Sequence, residues 1–468
     1  MRSSSIFLFL VLLSGLVFNC TQIAPENKET MKAGISQVDI TPPIGYPVHK
    51  KPSNGILDPL EVKTIVLNQG ETNAVLIIAD LFYVPSTLSD VVRKLASEKT
   101  GIPTFNICLA ATHTHADPTC YDEIEEHVEK INSGNLSEQD EQSYAGQLIH
   151  KLVQSVVEAQ ANLKPVSLKS GKVAVEELSF NRRHLMKDGT VKMNGGFLNP
   201  DIIRAVGPVD PDLGIILFNE EATGNPIISF TTFAMQLATI GDTEKFSSGF
   251  PHFLEKKLQS QFGENFISVF GEGPCADVNH WDITKPGPQI GYEQMTKPVG
   301  EKLGTSFLKT VPELRNHGEA LAVGSKVIQV PLQTYSEMDL EWAKNYVDTD
   351  GSGLVKARVR KILMLEKLRL KYRDTLPLEV QVFRLNDETA IVALPGQIFV
   401  ELGLALKENS PFRNTLILTL ANSHEDCIPL RKAYTEGSYE IVYSLVESGG
   451  GEMLIETALT LLNEIKKR

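Results

Sequence analysis

The amino-acid sequence predicts a mixed α/β fold built as one large domain. Apolar runs of strand length alternate along the chain with segments whose apolar residues recur at helical spacing. No internal repeat and no low-complexity linker divides the chain, which favours one domain over a string of modules. A length of 468 residues, with 42% hydrophobic and 22% charged residues, is enough to bury the core of such a domain.

The first twenty residues predict an export signal and not a part of the fold. Arg2 precedes a largely apolar run at residues 6–18, which is too short to span a membrane and is typical of a secretory signal. The residues around Cys20 resemble a bacterial lipoprotein signal, in which Cys20 becomes the lipidated N-terminus; a plain signal peptide is the alternative. We therefore expect an exported protein of the cell envelope, held on an outer or periplasmic face by a lipid anchor alone, with residues 21–31 as a tether.

The first half of the domain is predicted to start with a β-hairpin. Residues 62–67 and 74–79 are apolar on either side of a turn-like stretch. Residues 88–99 and 138–162 predict helices, because their apolar side chains recur every three or four positions. Residues 105–109 form a short apolar run that predicts a buried strand.

The second half continues the mixture of strands and helices. The sequence predicts strands at 213–218, 227–233, 378–384, 390–394 and 416–420, and helices at 338–373, 399–408 and 451–467. Residues 348–353 imitate the start of a calcium-binding loop, but Val359 occupies the position that requires the last acidic ligand. A break in the helix is therefore predicted there, and not a calcium site.

His113 and His115 directly follow the predicted strand at 105–109. In an extended segment alternate residues point the same way, so both rings are expected to leave the strand end on one side. Such a pair can begin a metal site, but a catalytic zinc needs about three protein ligands and an open position. The alternative is a pair that hydrogen-bonds to nearby backbone.

Charge and cysteine content exclude some classes of function. The net charge of −13, with no basic cluster to offset it, argues against binding to nucleic acid or to an anionic membrane surface. Beyond Cys20, the cysteines show no Cys-x-x-Cys pair, which argues against a zinc ribbon. An exported protein can form disulfides, and their pairing cannot be read from the sequence. These cysteines are Cys108, Cys120, Cys275 and Cys427.

Several stretches, taken together, carry a resemblance to a known family. Besides the His-Thr-His at 113–115, they are residues 34–45, 180–183, 271–279, 394–401 and 428–440. In order and spacing they resemble the N-terminal catalytic domain of the neutral/alkaline non-lysosomal ceramidases and their short bacterial relatives. The resemblance runs from about residue 32 to residue 468. Full-length ceramidases add a C-terminal immunoglobulin-like domain, which we do not expect in this chain.

The resemblance implies a zinc-dependent amide hydrolase that splits an N-acyl sphingoid base. Zinc in such a site lowers the pKa of a bound water and polarises the amide carbonyl. The family's zinc ligands are two histidines, a glutamate and a tyrosine. The first histidine falls on His113, with His115 as its active-site neighbour. Arg182 matches a substrate-side arginine, and Tyr439 matches a tyrosine that helps to stabilise the oxyanion.

The other three ligand positions depart from the family pattern. Gln236 stands at the second histidine, Gln397 at the glutamate and Cys427 at the tyrosine. A glutamine amide oxygen is a weak, neutral donor to zinc, whereas a cysteine thiolate binds zinc well. The sequence therefore predicts a pocket that keeps its shape and loses its charge, which is typical of a pseudoenzyme.

Three hypotheses about function remain open. The first is a non-catalytic protein that binds an amide or lipid-like small molecule in the old pocket. The second is an active amide hydrolase with a rebuilt metal site that uses Cys427 or His280. The third is a structural or surface-interaction lipoprotein. Asp117, Asp277 and Glu272 are weaker candidates for supporting roles, for which a place in a turn is the alternative.

Overall fold

The computed structural model describes residues 29–346 and 353–468. The predicted signal peptide with Cys20 and most of the predicted tether lie outside these residues. The predicted helix break at residues 348–353 also falls almost entirely outside them. Met31, placed by the sequence at the end of the tether, is fully buried, and β1 begins at the next residue.

Short and long strands occur along the whole described chain. In chain order they are β1 Lys32–Asp39, β2 Pro47–Val48, β3 Lys51–Pro52, β4 Gly55–Ile56, β5 Glu61–Gln69, β6 Thr72–Ala79, β7 Ile107–Ala111, β8 Lys164–Ala174, β9 Phe180–Asn181, β10 Arg183–Met186, β11 Val191–Met193, β12 Ile202–Ala205, β13 Asp212–Glu220, β14 Pro226–Phe233, β15 Lys245–Phe246, β16 Ile267–Glu272, β17 Val278–Asn279, β18 Ala322–Pro331, β19 Thr375–Arg384, β20 Thr389–Ala393, β21 Gln397–Ile398, β22 Asn414–Leu418 and β23 Cys427–Ile428.

Helices alternate with these strands. They are α1 Ser86–Thr100, α2 Tyr121–Ser133, α3 Glu138–Gln142, α4 Tyr144–Ala161, α5 Phe250–Phe262, α6 Lys297–Thr310, α7 Glu337–Tyr346, α8 Gly353–Tyr372, α9 Val400–Asn409, α10 Ala433–Glu436, α11 Tyr439–Val442 and α12 Gly450–Lys466. In the described ranges, no helix has the length and hydropathy that a bilayer crossing requires.

Two large sheets carry the fold. An eight-stranded sheet has the order β16-β14-β13-β8-β1-β5-β6-β7, and a four-stranded sheet has the order β18-β19-β20-β22. Most neighbours are antiparallel, but β6 and β7, β14 and β16, and β20 and β22 pair in parallel. The mixed α/β class predicted from the sequence is confirmed.

The two sheets pack face to face between two layers of helices. Apolar side chains of the eight-stranded sheet, such as Ile65 and Phe218, form one buried cluster with Phe383 and Leu416 of the four-stranded sheet. Helices α1, α4, α5 and α6 cover the outer face of the larger sheet. Helices α9 and α12 cover the outer face of the smaller one. The result is a four-layer arrangement of helix, sheet, sheet and helix.

The predicted hairpin forms as expected. β5 and β6 pair antiparallel from Val62↔Ala79 to Gln69↔Thr72. Gly70 lies in the connecting turn with a φ of 59°, a left-handed conformation that glycine adopts without steric cost.

Two predicted elements differ from the observed ones. The strand predicted at 105–109 begins two residues later, because Thr104–Asn106 form a 3₁₀ turn. The single helix predicted at 138–162 is two helices, α3 and α4. Ser143 separates them with an extended backbone, and its side chain accepts a hydrogen bond from the Gly146 N–H as the N-cap of α4.

Candidate functional site

The carboxyl ends of several strands meet at one edge of the two sheets. The Thr419 N–H, just after β22, donates to the carbonyl of Glu272 at the end of β16 (2.9 Å). The Asn422 N–H donates to the carbonyl of Leu109 in β7 (2.7 Å). The loops that follow β7, β14, β16, β20 and β22 therefore bring their residues to a common place, where polar ligands commonly bind in α/β folds.

His113 leaves β7 by a turn and not as a continuation of the strand. β7 ends at Ala111, and His113 has a left-handed φ of 66°. The prediction that both rings leave an extended strand end is therefore wrong in its geometry, because strand alternation stops before His113. The turn nevertheless keeps the rings of His113 and His115 together, with centroids 5.1 Å apart.

The ring of His113 is held in one orientation. Its Nδ1 lies 2.7 Å from the carbonyl oxygen of Phe82, and the Phe82 ring stacks on it at 4.3 Å. Asp117 supports this segment, because its carboxylate accepts from the Phe82 N–H (3.0 Å) and from the Tyr121 hydroxyl. Burial, with help from His115, lowers the pKa of His113 well below its usual value. His113 is therefore neutral at pH 7.

His115 and His280 are buried histidines with under-used ring nitrogens. Within the described residues, neither the Nε2 of His115 nor the ring nitrogens of His280 form hydrogen bonds of normal geometry, although the Gln289 backbone lies close enough to His280 to raise its pKa. Burial lowers the pKa of His115 to about 3, and the charge of Arg182 contributes. Burial also lowers the pKa of His280 to about 4. Both rings are neutral at pH 7 and can donate to or accept from a ligand.

Arg182 is the charged centre of the site. Its Nε donates to the carboxylate of Glu440 (2.9 Å), and its Nη1 donates to the side-chain oxygen of Gln236 (2.9 Å). The guanidinium also lies 5.3 Å from the centroid of the Tyr439 ring. Burial is the largest single influence and lowers the pKa of Arg182, but Glu440 acting together with Cys427 and Tyr439 raises that pKa overall.

The remaining candidate positions converge on Arg182. The Gln236 amide nitrogen donates to the side-chain oxygen of Gln397 (3.1 Å), and Gln397 pairs with Cys427 across β21 and β23. Burial raises the pKa of the Cys427 thiol, although Arg182 acts in the opposite direction. The structure therefore brings together residues that are far apart in sequence. The predicted roles of these residues stay predictions.

The two glutamines at the implied ligand positions are engaged with one another and with Arg182. Gln236 directs its oxygen to Arg182 and its nitrogen to Gln397, so each of these amides is engaged by a neighbour. The guanidinium beside Gln236 repels a divalent cation, and the Cys427 thiol resists ionisation. Across residues 29–346 and 353–468, no group of three or more His, Cys, Asp or Glu side chains is placed to hold a metal ion.

The weaker sequence candidates occupy supporting positions. Asp277 accepts hydrogen bonds from the side chain of Asn181 (2.9 Å) and from the Val400 N–H at the start of α9 (2.8 Å). Glu272 is buried at the end of β16, beside Thr419 and Cys275, and burial raises its pKa to about 8. Asp277 therefore links β9 to the start of α9, and Glu272 lies where the ends of β16 and β22 meet.

Glu440 is the important residue that sequence reasoning did not single out. It is fully buried and binds both Arg182 and Arg183, the latter at 2.7 Å. The adjacent Arg182 and Arg183 could have indicated such a residue, because two buried guanidinium groups require an anionic partner. Only the fold identifies that partner, since Glu440 lies more than 250 positions away.

Two known structures share this fold. The crystal structure of neutral ceramidase from Pseudomonas aeruginosa superposes with a TM-score of 0.68 and 14% identity, covering 94% of this chain and 75% of that one. A ceramidase complexed with C2 gives a TM-score of 0.67 and 14% identity, covering 94% and 76%. At this identity the likeness establishes the fold, which is that of ceramidase-type hydrolases. No curated protein sequence matches the chain.

A sequence match points to the same family. Residues 32–246 match the family model of the N-terminal region of the neutral/alkaline non-lysosomal ceramidases, which supports the resemblance seen in the sequence. His113, His115, Arg182 and Gln236 lie inside the matched region, whereas Gln397, Cys427 and Tyr439 lie beyond it.

Proposed function

We propose that this ceramidase-family protein binds an amide or lipid-like small molecule in its pocket and no longer hydrolyses it with zinc. The observation that carries the proposal is the hydrogen-bonded series Arg182–Gln236–Gln397. A cation and two neutral amides occupy the place where the family resemblance implies a histidine and a glutamate as ligands. Such groups satisfy one another and offer a divalent ion little negative charge.

The chemistry of the unpartnered groups supports an uncharged polar ligand. The neutral rings of His115 and His280 have buried nitrogens that lack protein partners. A buried polar group without a partner costs free energy, so a ligand with an amide or hydroxyl group gains by supplying the missing hydrogen bonds. The ceramidases with this fold bear the name of an N-acyl lipid, which makes an amide-linked lipid the first ligand to test.

Metal content and a triple reversion test the proposal. We expect purified protein to hold far less than one zinc per chain and to leave a fluorogenic ceramide analogue intact. We expect Gln236→His, Gln397→Glu and Cys427→Tyr together to restore stoichiometric zinc and measurable cleavage, with Gln261→Glu, at an exposed position on α5, as the glutamine control. The proposal is wrong if the wild type binds one zinc tightly and cleaves the analogue as fast as the reverted protein.

A rebuilt metal site is the second candidate, and the unpartnered nitrogens of His280 favour it. In that case the wild type would bind one zinc, and His280→Ala or Cys427→Ser would release it. His252→Ala serves as the control, because His252 is a half-buried histidine on α5. Zinc loss in the first pair and not in the control would establish the hydrolase hypothesis.

We also propose export and lipid anchoring through Cys20. The support is the sequence of residues 1–20, which lie outside the described residues. Mass spectrometry of the protein from membranes should find a lipid-modified Cys20 at the mature N-terminus. Cys20→Ala should move the protein to the soluble fraction, whereas Cys20→Ala protein that stays in the membrane would overturn the anchor.

A further inference from the structure

Helix α8 is strongly basic in an acidic protein. Its twenty residues contain seven lysines and arginines and one glutamate, whereas the whole chain carries a net charge of −13. The expectation that the chain has no basic cluster is therefore wrong. The net charge of the whole chain is negative and does not reveal that one helix is locally positive. The cations are Lys356, Arg358, Arg360, Lys361, Lys367, Arg369 and Lys371.

Four of these cations form no ion pair in the described parts of the chain, and the exposed Lys356 is one of them. Lys361 donates to two neutral oxygens, the Gln333 side chain at 2.7 Å and the Ile441 carbonyl at 3.0 Å. Lys371 lies 4.7 Å from the centre of the Tyr372 ring. Arg360 forms no ion pair with a residue that the structure describes, although its charge acts on Asp426. By contrast, Arg358, Lys367 and Arg369 are each paired with a carboxylate.

Three of the four unpaired cations, Arg360, Lys361 and Lys371, line one groove, which we call the α8 groove. It has a volume of about 180 Å³, and its walls come from α8, the start of β19, the segment before α1, and residues 424–426 and 442–445. Apolar side chains form much of its surface: Ala357, Met364, Leu368, Leu376, Val442 and Leu445. A concave apolar surface beside unpaired positive charge fits a molecule with a hydrocarbon chain and an anionic end.

The acids of the groove do not cancel this charge. Glu125 is paired with Lys367 at 3.3 Å, and Asp426 is hydrogen-bonded to His424 at 3.1 Å and offsets part of the charge of Arg360. The four cations that line the groove nevertheless outnumber its three acids. Glu425 is buried, with 7% of its surface exposed. The α8 groove therefore keeps an excess of positive charge next to its apolar surface.

The α8 groove lies one aromatic layer away from His113. Tyr83 and His424 line the groove and stack on each other, with ring centroids 4.2 Å apart. The ring centroids of His424 and Phe82 lie 6.5 Å apart. The Phe82 ring in turn stacks on the His113 ring, with centroids 4.3 Å apart. The groove is therefore adjacent to the candidate site and has its own lining residues.

We propose that the α8 groove binds the monomer of a single-chain anionic amphiphile of the fatty-carboxylate class. Arg360 and Lys361 hold the carboxylate, and Lys371, about three helical turns further along α8, adds long-range attraction. A recessed apolar surface suits a hydrocarbon chain better than a flat bilayer surface does. Arginine and lysine hold carboxylates through charge-assisted hydrogen bonds. The inference does not depend on whether the neighbouring pocket binds zinc or cleaves an amide.

Binding of a fluorescent fatty carboxylate tests the proposal. The probe is 11-(dansylamino)undecanoate below its micelle concentration, and its methyl ester has the same chain without the charge. We expect the full-length protein to bind the carboxylate at least about tenfold more tightly than the ester. Arg360→Gln with Lys371→Gln should weaken carboxylate binding about tenfold or more and change ester binding little.

A matched pair of substitutions controls for general charge. Lys344→Gln with Lys356→Gln removes the same charge from exposed positions on α7 and α8 that do not line the groove, and we expect less than a twofold change. Met364→Glu, which adds a carboxylate to the groove wall, should also weaken the carboxylate more than the ester. Unchanged melting temperatures must accompany these results.

Three results would overturn the inference. The ester could bind as tightly as the carboxylate, or the control pair could weaken binding as much as the groove pair. Thirdly, the protein could bind phosphatidylglycerol vesicles through Arg360 and Lys371 without binding the monomeric probe, in which case α8 is a membrane-docking face.

Discussion

Single residues around Arg182 decide what the pocket can hold. Glu440 is fully buried between the guanidinium groups of Arg182 and Arg183, which are themselves buried. Its carboxylate keeps Arg182 charged, and Arg182 then orients Gln236. Glu440 is the buried carboxylate that both arginines share. Its removal leaves their guanidinium charges buried without that anionic partner.

Glu440→Gln should therefore lower the free energy of unfolding by about 3–5 kcal/mol, because it leaves two buried arginine charges without their shared anion. Denaturant unfolding monitored by circular dichroism measures this. Glu436→Gln is the matched control: Glu436 also contacts Arg183, at 3.0 Å, but is partly exposed, and we expect less than about 1 kcal/mol. Equal effects of the two substitutions would contradict the role given to Glu440.

Glu272 makes stability depend on pH. Burial raises the pKa of its carboxyl from 4.5 to about 8, so between these values the folded protein keeps a proton that the unfolded chain has lost. The free energy of unfolding therefore falls as pH rises through this window. Glu272→Gln cannot ionise and should gain stability relative to the wild type from pH 5 to pH 8, on the order of 1–3 kcal/mol.

Thermal unfolding at pH 5, 6.5 and 8 checks this expectation. Glu264→Gln, at an exposed position after α5, is the control and should leave the pH profile of the wild type unchanged. A parallel profile for Glu272→Gln and the wild type would show that Glu272 does not retain its proton.

At the scale of elements, the packing of β1 against α4 depends on one glycine. A Cβ atom at Gly34 would lie 1.9 Å from the carbonyl oxygen of Ala159 and 3.0 Å from the backbone nitrogen of Leu163. β1 lies in the middle of the eight-stranded sheet, so neither backbone can move freely. This contact explains in physical terms why Gly34 begins a stretch that resembles the family.

Gly34→Ala should cost at least about 3 kcal/mol of unfolding free energy or prevent folding, because the new methyl group meets backbone atoms. Gly353→Ala is the control, since a Cβ atom there meets no atom within 4 Å. We expect that variant to match the wild type or to be slightly more stable. Soluble yield and the denaturant midpoint distinguish the two, and a well-folded Gly34→Ala variant would refute the close approach.

At the scale of the whole molecule, the two sheets behave as one unit because they share a core and a buried ion pair. Arg93 on α1 binds Glu379 on β19 through two hydrogen bonds of 2.7 and 3.2 Å. The pair therefore joins the helix layer of the larger sheet to the smaller sheet. Side chains from both sheets fill the space between them.

Arg93→Met and Glu379→Gln should each cost about 2–4 kcal/mol, and the double variant should lose less than the sum by about 1–3 kcal/mol. A double-mutant cycle by denaturant unfolding measures this coupling. Additive losses would mean that the pair does not link the layers. Lys367→Met and Glu125→Gln form a control cycle across an exposed ion pair, with an expected coupling below about 1 kcal/mol.

The elements were largely predictable because local patterns encode them. The β5–β6 hairpin and helices α1, α9 and α12 follow from apolar spacing. The break at Ser143 was missed, since its cap hydrogen bond lies inside an unbroken helical pattern. The basic groove of α8 was missed because it needs the neighbouring segments that complete it.

The sequence by itself determined the class of fold, the resemblance to the neutral/alkaline ceramidases and the chemical identity of the side chains at the candidate positions. The tertiary structure decided how those side chains meet. Arg182 reaches Gln236 across 54 positions, and Gln236 reaches Gln397 across 161. Secondary structure depends on the spacing of apolar residues along the chain. The contacts of Arg182 and Gln236 depend instead on the order of the strands in the sheets, their register and the course of the loops. Only the assembled sheets therefore determine that amides and a guanidinium occupy the pocket together.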